Sequence, residues 1–177
     1  MEVKDDEICF AKIRETAKIP TKKDEDAGYD LYADFEGDYF VIEPFKTRPV
    51  PTGIACAFSK KYYAQVEERS SMAKKAIKKS GGVMDSGYRG EYLIMLYNTN
   101  SVPFIISKVP EENVPKKIVF EDKKYSTKKA LIYPYTKAIC QIVLQEVPSL
   151  NTKEISYDEL KSIASSRGVG GFGSSKK

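Results

Sequence analysis

The sequence predicts a mainly β domain, and three observations carry that reading. Short runs of β-branched and aromatic residues recur along most of the chain. Prolines sit at or near the ends of those runs, and only two short stretches carry a helical pattern. In order, the strand-like runs are 39–43, 54–58, 62–67, 91–97, 104–107, 117–120, 130–133 and 139–144. Pro44, Pro49, Pro51, Pro103, Pro110, Pro115, Pro134 and Pro148 punctuate them, as expected of a residue that cannot donate to a sheet ladder. Many short strands at regular spacing read as a sandwich or barrel. Residues 71–79 start on a serine and place Met72, Ala73 and Ala76 on one face, predicting a helix. Residues 157–164 carry acids early and apolar residues at 157, 160, 163 and 164, predicting a second helix or a loop with one helical turn. The Lys/Glu-rich stretch 108–136 holds two short apolar runs and reads as an insertion, either a hairpin or two strands with long loops. From 165 onward, the composition is that of a flexible tail.

A length of 177 residues fits one domain, or two small ones, and 41% apolar with 31% charged residues fits a soluble globular protein. No run of 18 apolar residues occurs, so no transmembrane helix is expected, and the charged N-terminus does not read as a secretory signal. The histidine count of zero excludes Ser-His-Asp and Cys-His catalysis and His-ligated metals, so any acid or base is a carboxylate, Lys, Tyr or Cys. Cys9, Cys56 and Cys140 lie far apart in apolar stretches with no CxxC spacing. This argues against a zinc or disulfide framework and for free, buried thiols in a reducing cytoplasm. A net charge of +4 tolerates a polyanionic ligand without demanding nucleic acid. Lys74, Lys75, Lys78 and Lys79 read as a solvated face rather than a nucleic-acid patch.

Four segments stand out chemically. Asp26-Ala-Gly-Tyr-Asp-Leu-Tyr-Ala33 reads as a turn into a strand, with Gly28 supplying unusual backbone angles. In Glu67-Glu-Arg-Ser-Ser-Met-Ala73 a strand gives way to a guanidinium and two hydroxyls, groups suited to phosphate oxygens. Ser80-Gly-Gly-Val-Met-Asp-Ser-Gly-Tyr-Arg-Gly-Glu91 suggests a glycine-rich hairpin whose main chain is open to close approach. Within it, Asp85 is the best candidate for a positioned carboxylate base. The tail, Arg167-Gly-Val-Gly-Gly-Phe-Gly-Ser-Ser175, lacks the GxxxxGK[ST] frame of a Walker motif. Its Phe172 suits stacking on a base and its Arg167, Ser174 and Ser175 suit phosphate, so it reads as a lid that orders on binding.

Taken in this order, together with Ala138-Ile-Cys-Gln-Ile-Val-Leu144, the segments resemble the five motifs of the trimeric deoxyuridine triphosphatase (dUTPase) family across about residues 8–175. The resemblance implies a β-clip, distorted jelly-roll domain over 1–165 with the insertion at 108–136, a C-terminal lid arm over 166–177, and a homotrimer with active sites shared between subunits. The implied reaction is magnesium-assisted hydrolysis of dUTP to dUMP and pyrophosphate. By the same resemblance, Asp85 activates the water that attacks the α-phosphorus. Gly82, Val83 and Met84 read uracil through the backbone, and Tyr88 packs under the deoxyribose. Arg69, Ser70, Ser71 and Gln141 bind phosphate, and Asp30 supports the metal through water. Phe172 covers uracil, while Arg167, Gly173, Ser174 and Ser175 clamp the γ-phosphate.

The chain departs from the family pattern at Ser71 (usually glycine), Gly87 (usually an acid) and Ala138 (usually arginine, with Lys137 beside it here). The 108–136 stretch resembles that of enlarged phage-type members and suits a regulatory protein partner. Two alternatives accompany this reading. One is a dCTP deaminase-like enzyme of the same fold, although Met95 stands where that family has its catalytic glutamate. The other is a dUTPase scaffold with an added regulatory, protein-binding role.

Overall fold

The computed structural model describes residues 3–170, which divide into two compact units meeting at 147/148. Among the described residues the first unit contains β1 (Ile8–Lys12), β2 (Tyr29–Leu31), β3 (Tyr39–Ile42), β4 (Thr47–Val50), β5 (Ile54–Phe58), β6 (Tyr62–Glu67) and a single helical turn, α1 (Ser70–Ala73). It continues with β7 (Ile77–Lys79), β8 (Val83–Met84), β9 (Ile94–Asn98), β10 (Phe104–Ser107), β11 (Lys117–Phe120), β12 (Lys123–Ser126), β13 (Leu131–Pro134) and β14 (Cys140–Glu146). The chain is mainly β, as its short β-branched and aromatic runs predict.

Three sheets set the frame, in the orders β2-β14-β6-β8, β4-β9-β7 and β13-β10-β3, with a β1-β5 pair and a β11-β12 pair beside them. Pairing is antiparallel except between β10 and β13. Alternation along each strand buries one face: Ile54, Cys56 and Phe58 of β5, Ala64 and Val66 of β6, Ile94 and Leu96 of β9. All of these but Ile54 join Leu31, Ile77, Phe104, Ile106 and Ile142 in one core. Strand β10 is buried on both faces, because Ile105 points the other way and packs with Val41 and Ile118 in a second cluster. The β11-β12 hairpin thus covers the outer face of the β10 sheet. Its two-residue turn puts Glu121 and Asp122 at φ +46° and +59°, a conformation in which both residues carry strain. Glu121 is held there by two hydrogen bonds from Arg48, whose guanidinium lies over both the Phe40 and Phe120 rings. Residues 117–126 are therefore a hairpin, one of the two forms expected for the 108–136 stretch.

Several expectations are corrected. The helix expected over 71–79 is one turn only. Ala76 adopts φ +55°, which ends the helix, and Ile77–Lys79 pairs with β9 as a strand. Of the expected face of Met72, Ala73 and Ala76, only Met72 is buried, and Ile77 joins it in the core from β7, so two elements feed one core. Strand β4 contains Pro49, which is tolerated because β4 is a sheet edge paired only with β9. The glycine-rich segment 80–91 is not a simple hairpin, because β7 and β8 belong to different sheets. Cys56 and Cys140 are buried, but Cys9 is exposed, since β1 is an outlying strand with one face to solvent. Burial pushes the Cys56 thiol up to about 11 and raises that of Cys140 further, which leaves both unreactive.

The second unit holds α2 (Tyr157–Ser162), which starts on a capping box. The Ser156 hydroxyl accepts from Glu159 N and the Glu159 carboxylate accepts from Ser156 N. Of the expected arm, residues 166–170 lie within this unit. Phe172, Gly173, Ser174 and Ser175 fall outside the described residues.

Candidate active site

The first group of site residues is built across β2, β14 and β6. The register places Asp30 opposite Gln141 and Gln141 opposite Glu67, so the three share one row of one sheet face. Gly28 allows this approach: a Cβ there would lie 3.0 Å from the Ile142 carbonyl and 3.1 Å from Gln141 Oε1. Beyond the end of β6, Arg69 keeps extended geometry, and α1 then turns Ser70 and Ser71 back toward β14. Arg69 Nε lies 3.2 Å from Asp30 Oδ1. Arg69, Ser70, Ser71 and Gln141 together line a cavity of about 260 Å³. One guanidinium, two hydroxyls and a carboxamide suit the oxygens of a phosphate chain.

The departures at Ser71 and Ala138 meet in this group. The Ser71 hydroxyl is 3.2 Å from the Tyr133 hydroxyl, which donates to the Ala138 carbonyl at 2.7 Å. Ala138 is buried, while Lys137 is exposed. The hydroxyl at 71 thus belongs to a small polar chain that ends on the backbone of 138. Burial raises the Tyr133 phenol, which stays a neutral donor.

The second group follows β7. Gly81 and Gly82 adopt φ +84° and +148°, conformations closed to side-chain-bearing residues, and carry the chain from the β9 sheet onto β6. The Gly82 carbonyl accepts from Val66 N at 2.7 Å, and β8 becomes the outermost strand of its sheet. Its far edge faces no strand among the described residues, so the backbone of Val83 and Met84 is open to a ligand. Asp85 ends the strand. Its carbonyl accepts from Tyr88 N at 3.1 Å, closing a tight turn, and its carboxylate is exposed and accepts no hydrogen bond from the described residues. The Tyr88 ring stacks on Tyr92 at 6.2 Å and 24°, and its hydroxyl donates to the Glu91 carbonyl. That ring lies over Gly90, where any Cβ would overlap it. Gly87 has open space around it, so no close packing demands glycine there.

Within one chain the two groups do not meet. Met84 pairs with Ala64, and Arg69 lies five residue steps further along the chain, about 17 Å at the rise of extended backbone. Asp85 and Tyr88 therefore sit beside one end of β6, and Arg69, Ser70, Ser71 and Gln141 at the other. In the second unit, Arg167 donates from Nε to the Gly170 carbonyl at 2.8 Å, and the Ser165 hydroxyl accepts from Arg167 N and Gly168 N.

Sequence reasoning missed a half-buried cluster. Arg14 donates to the Asp34 carboxylate (2.8 Å), to the Asp34 carbonyl (2.9 Å) and to both oxygens of Glu91 (2.6 and 3.1 Å). Glu91 also accepts from Thr52 N (3.1 Å) and Gly53 N (2.7 Å). Arg14 beside it, with these amides, holds the Glu91 carboxyl below the usual range. The available signal was Glu91 itself, an acid at the head of the apolar run 92–97.

A family model described as dUTPase matches residues 14–110, more than half of the chain. The chain belongs to the dUTPase family. The deoxyuridine 5'-triphosphate nucleotidohydrolase of Debaryomyces hansenii is 32% identical over 165 residues, spanning 92% of this chain and 83% of that one. A Pol polyprotein of caprine arthritis encephalitis virus is 34% identical over 119 residues, 67% of this chain; this chain spans only a tenth of that polyprotein. The dUTPase of Staphylococcus bacteriophage 80alpha, solved with dUpNHpp, shares the fold with a TM-score of 0.70 at 21% identity, over 97% of this chain and 99% of that one. The dUTPase match ends at 110, just inside the 108–136 stretch, and Gln141 lies beyond it.

Proposed function

We propose that this chain hydrolyses dUTP to dUMP and pyrophosphate, in sites completed between the subunits of a homotrimer. The observation that carries this reading is the division of the family's site residues between the two ends of β6. A carboxylate and a sugar-sized aromatic stand at one end, and a phosphate-binding cavity stands at the other. A site that needs both takes them from different copies of the chain.

The triphosphate lies against Arg69, Ser70, Ser71 and Gln141, whose donors match its oxygens. Uracil reads the open edge of Gly82, Val83 and Met84, and the deoxyribose packs on Tyr88, leaving no room for a 2′-hydroxyl. The Asp85 carboxylate takes a proton from a water, which attacks the α-phosphorus. The bond from that phosphorus to the bridging oxygen breaks, and pyrophosphate leaves. Arg167, Phe172, Gly173, Ser174 and Ser175 act as the closing lid.

The residues suit magnesium. Among the described residues no three acids or cysteines form a ligand cluster, and Asp30 supplies a hard oxygen whose neighbour is engaged by Arg69, so the contact is through water. When bound with the nucleotide, the ion neutralises triphosphate charge. No helix among the described residues is long and apolar enough to cross a membrane. The place of action proposed is the cytoplasm, the host's for a viral or phage protein, and no nucleic acid is required. A regulatory partner at 108–136 is a further role that the docked hairpin suits. The dCTP deaminase-like alternative is not favoured, because position 95 carries a half-exposed methionine on β9 in place of a glutamate.

The test supplies purified protein with magnesium and either dUTP or dCTP, and measures released pyrophosphate and ammonia. Pyrophosphate from dUTP without ammonia is expected. Ammonia from dCTP, or no product from dUTP, refutes the assignment.

A further inference from the structure

The segment that carries Asp85 and Tyr88 is a loop, and something must hold it. From Asp85 to Gly90 it forms no strand, and its glycines at 87 and 90 add no side-chain packing of their own. Its internal bonds are few: Tyr88 N to the Asp85 carbonyl, the Tyr88 hydroxyl to the Glu91 carbonyl, and Arg89 to the Ser86 and Tyr88 carbonyls. The fixed point is Glu91. Its side chain accepts four hydrogen bonds, two from Arg14 and two from backbone amides, while its carbonyl receives the Tyr88 hydroxyl. Arg14 is fixed in turn by Asp34, whose side chain is 2% exposed and also accepts weakly from Tyr135 at 3.4 Å. The cluster is tight on every side. Gly53 is at φ +64°, and a Cβ there would come within 2.5 Å of the Asp34 carboxylate and 2.7 Å of Ala17 Cβ.

We propose that Arg14 is a positioning residue: through Glu91 and Asp34 it fixes the 85–91 loop, and so sets where Asp85 and Tyr88 meet the nucleotide. Arg14 itself touches no substrate. The planar fork matters, because only a guanidinium reaches both oxygens of Glu91 and the carboxylate and carbonyl of Asp34 together. This inference rests on the roles proposed above for Asp85 and Tyr88.

Arg14→Lys keeps the charge and loses the fork, so it is the variant least disruptive to folding. Two readouts apply. Hydrogen exchange of the segment 85–91, followed by mass spectrometry on the full chain, should quicken at least tenfold, while β6 exchange stays unchanged. The ratio of kcat/KM for dUTP to that for UTP should fall at least tenfold, because a loose Tyr88 no longer excludes the 2′-hydroxyl. Unchanged exchange over 85–91 overturns the proposal. Faster exchange with an unchanged dUTP/UTP ratio also overturns it, since Arg14 would then be structural only. Should the wild type cleave neither nucleotide, the functional reading fails by itself, and the exchange result still decides whether Arg14 holds the loop.

Discussion

Asp85→Asn is expected to lower kcat by about 10²–10⁴-fold, the range typical of a lost general base, while nucleotide affinity changes little. The carboxylate is exposed and accepts no hydrogen bond from the described residues, so the amide disturbs no contact of the fold. Folding should therefore be unaltered, and a calorimetric binding measurement with a non-hydrolysable dUTP analogue should return a Kd near that of the wild type. A kcat within a few-fold of wild type would remove Asp85 from the base role. A large loss of affinity would instead make it a binding residue.

Arg69→Ala should lower kcat/KM for dUTP by about 10²-fold or more, in line with the 1.5–3 kcal/mol of a charge-assisted hydrogen bond, counted more than once for a guanidinium fork. Two losses combine. The cavity beside Ser70, Ser71 and Gln141 loses its cation, and Asp30 loses the partner 3.2 Å away. The bare Asp30 carboxylate then repels the phosphate chain that Arg69 attracted. Steady-state kinetics check this, and Arg69→Ala combined with Asp30→Asn separates the two parts. Relief of the defect in the double variant assigns the repulsion to Asp30. An Arg69→Ala enzyme with unchanged kcat/KM would take Arg69 out of the phosphate site.

Much of the fold was legible because its strands are short runs of β-branched and aromatic residues bounded by prolines and turns. Phe104–Ser107 and Lys117–Phe120 fall at the bounds their composition predicts, as do Ile54–Phe58 and Tyr62–Glu67. The misreadings have local causes. Ala76 lies four residues past the buried Met72, a helical spacing, and only its left-handed backbone distinguishes a turn followed by a strand from one continuous helix. Strand β4 was hidden by its own Pro49, which an edge tolerates. Strand β1, with Cys9 to solvent, is too sparsely buried to show a pattern. The sheet switch at Gly81 and Gly82 reads from sequence as a hairpin turn, because both need the same glycines.

The site was legible as motifs and not as geometry. Gly28, Arg69 and Gln141 could be named, yet their convergence depends on β2-β14-β6 register, which joins residues 30, 67 and 141 across the chain. The Arg14–Asp34–Glu91 cluster spans 77 positions and carries no local signature. Nor does any local pattern reveal that Asp85 and Arg69 lie at opposite ends of one strand.

That separation is the claim on which the functional account turns, and mixing two inactive variants tests it most directly. Asp85→Asn and Arg69→Ala subunits are coexpressed with different tags, the doubly tagged assemblies are isolated, and dUTP hydrolysis is measured against each variant alone. If each site draws Asp85 from one copy and Arg69 from its neighbour, every mixed trimer holds one intact site of three, and the doubly tagged assemblies recover about a third of the wild-type rate. A rate in mixed assemblies no higher than that of the two variants alone would contradict the account.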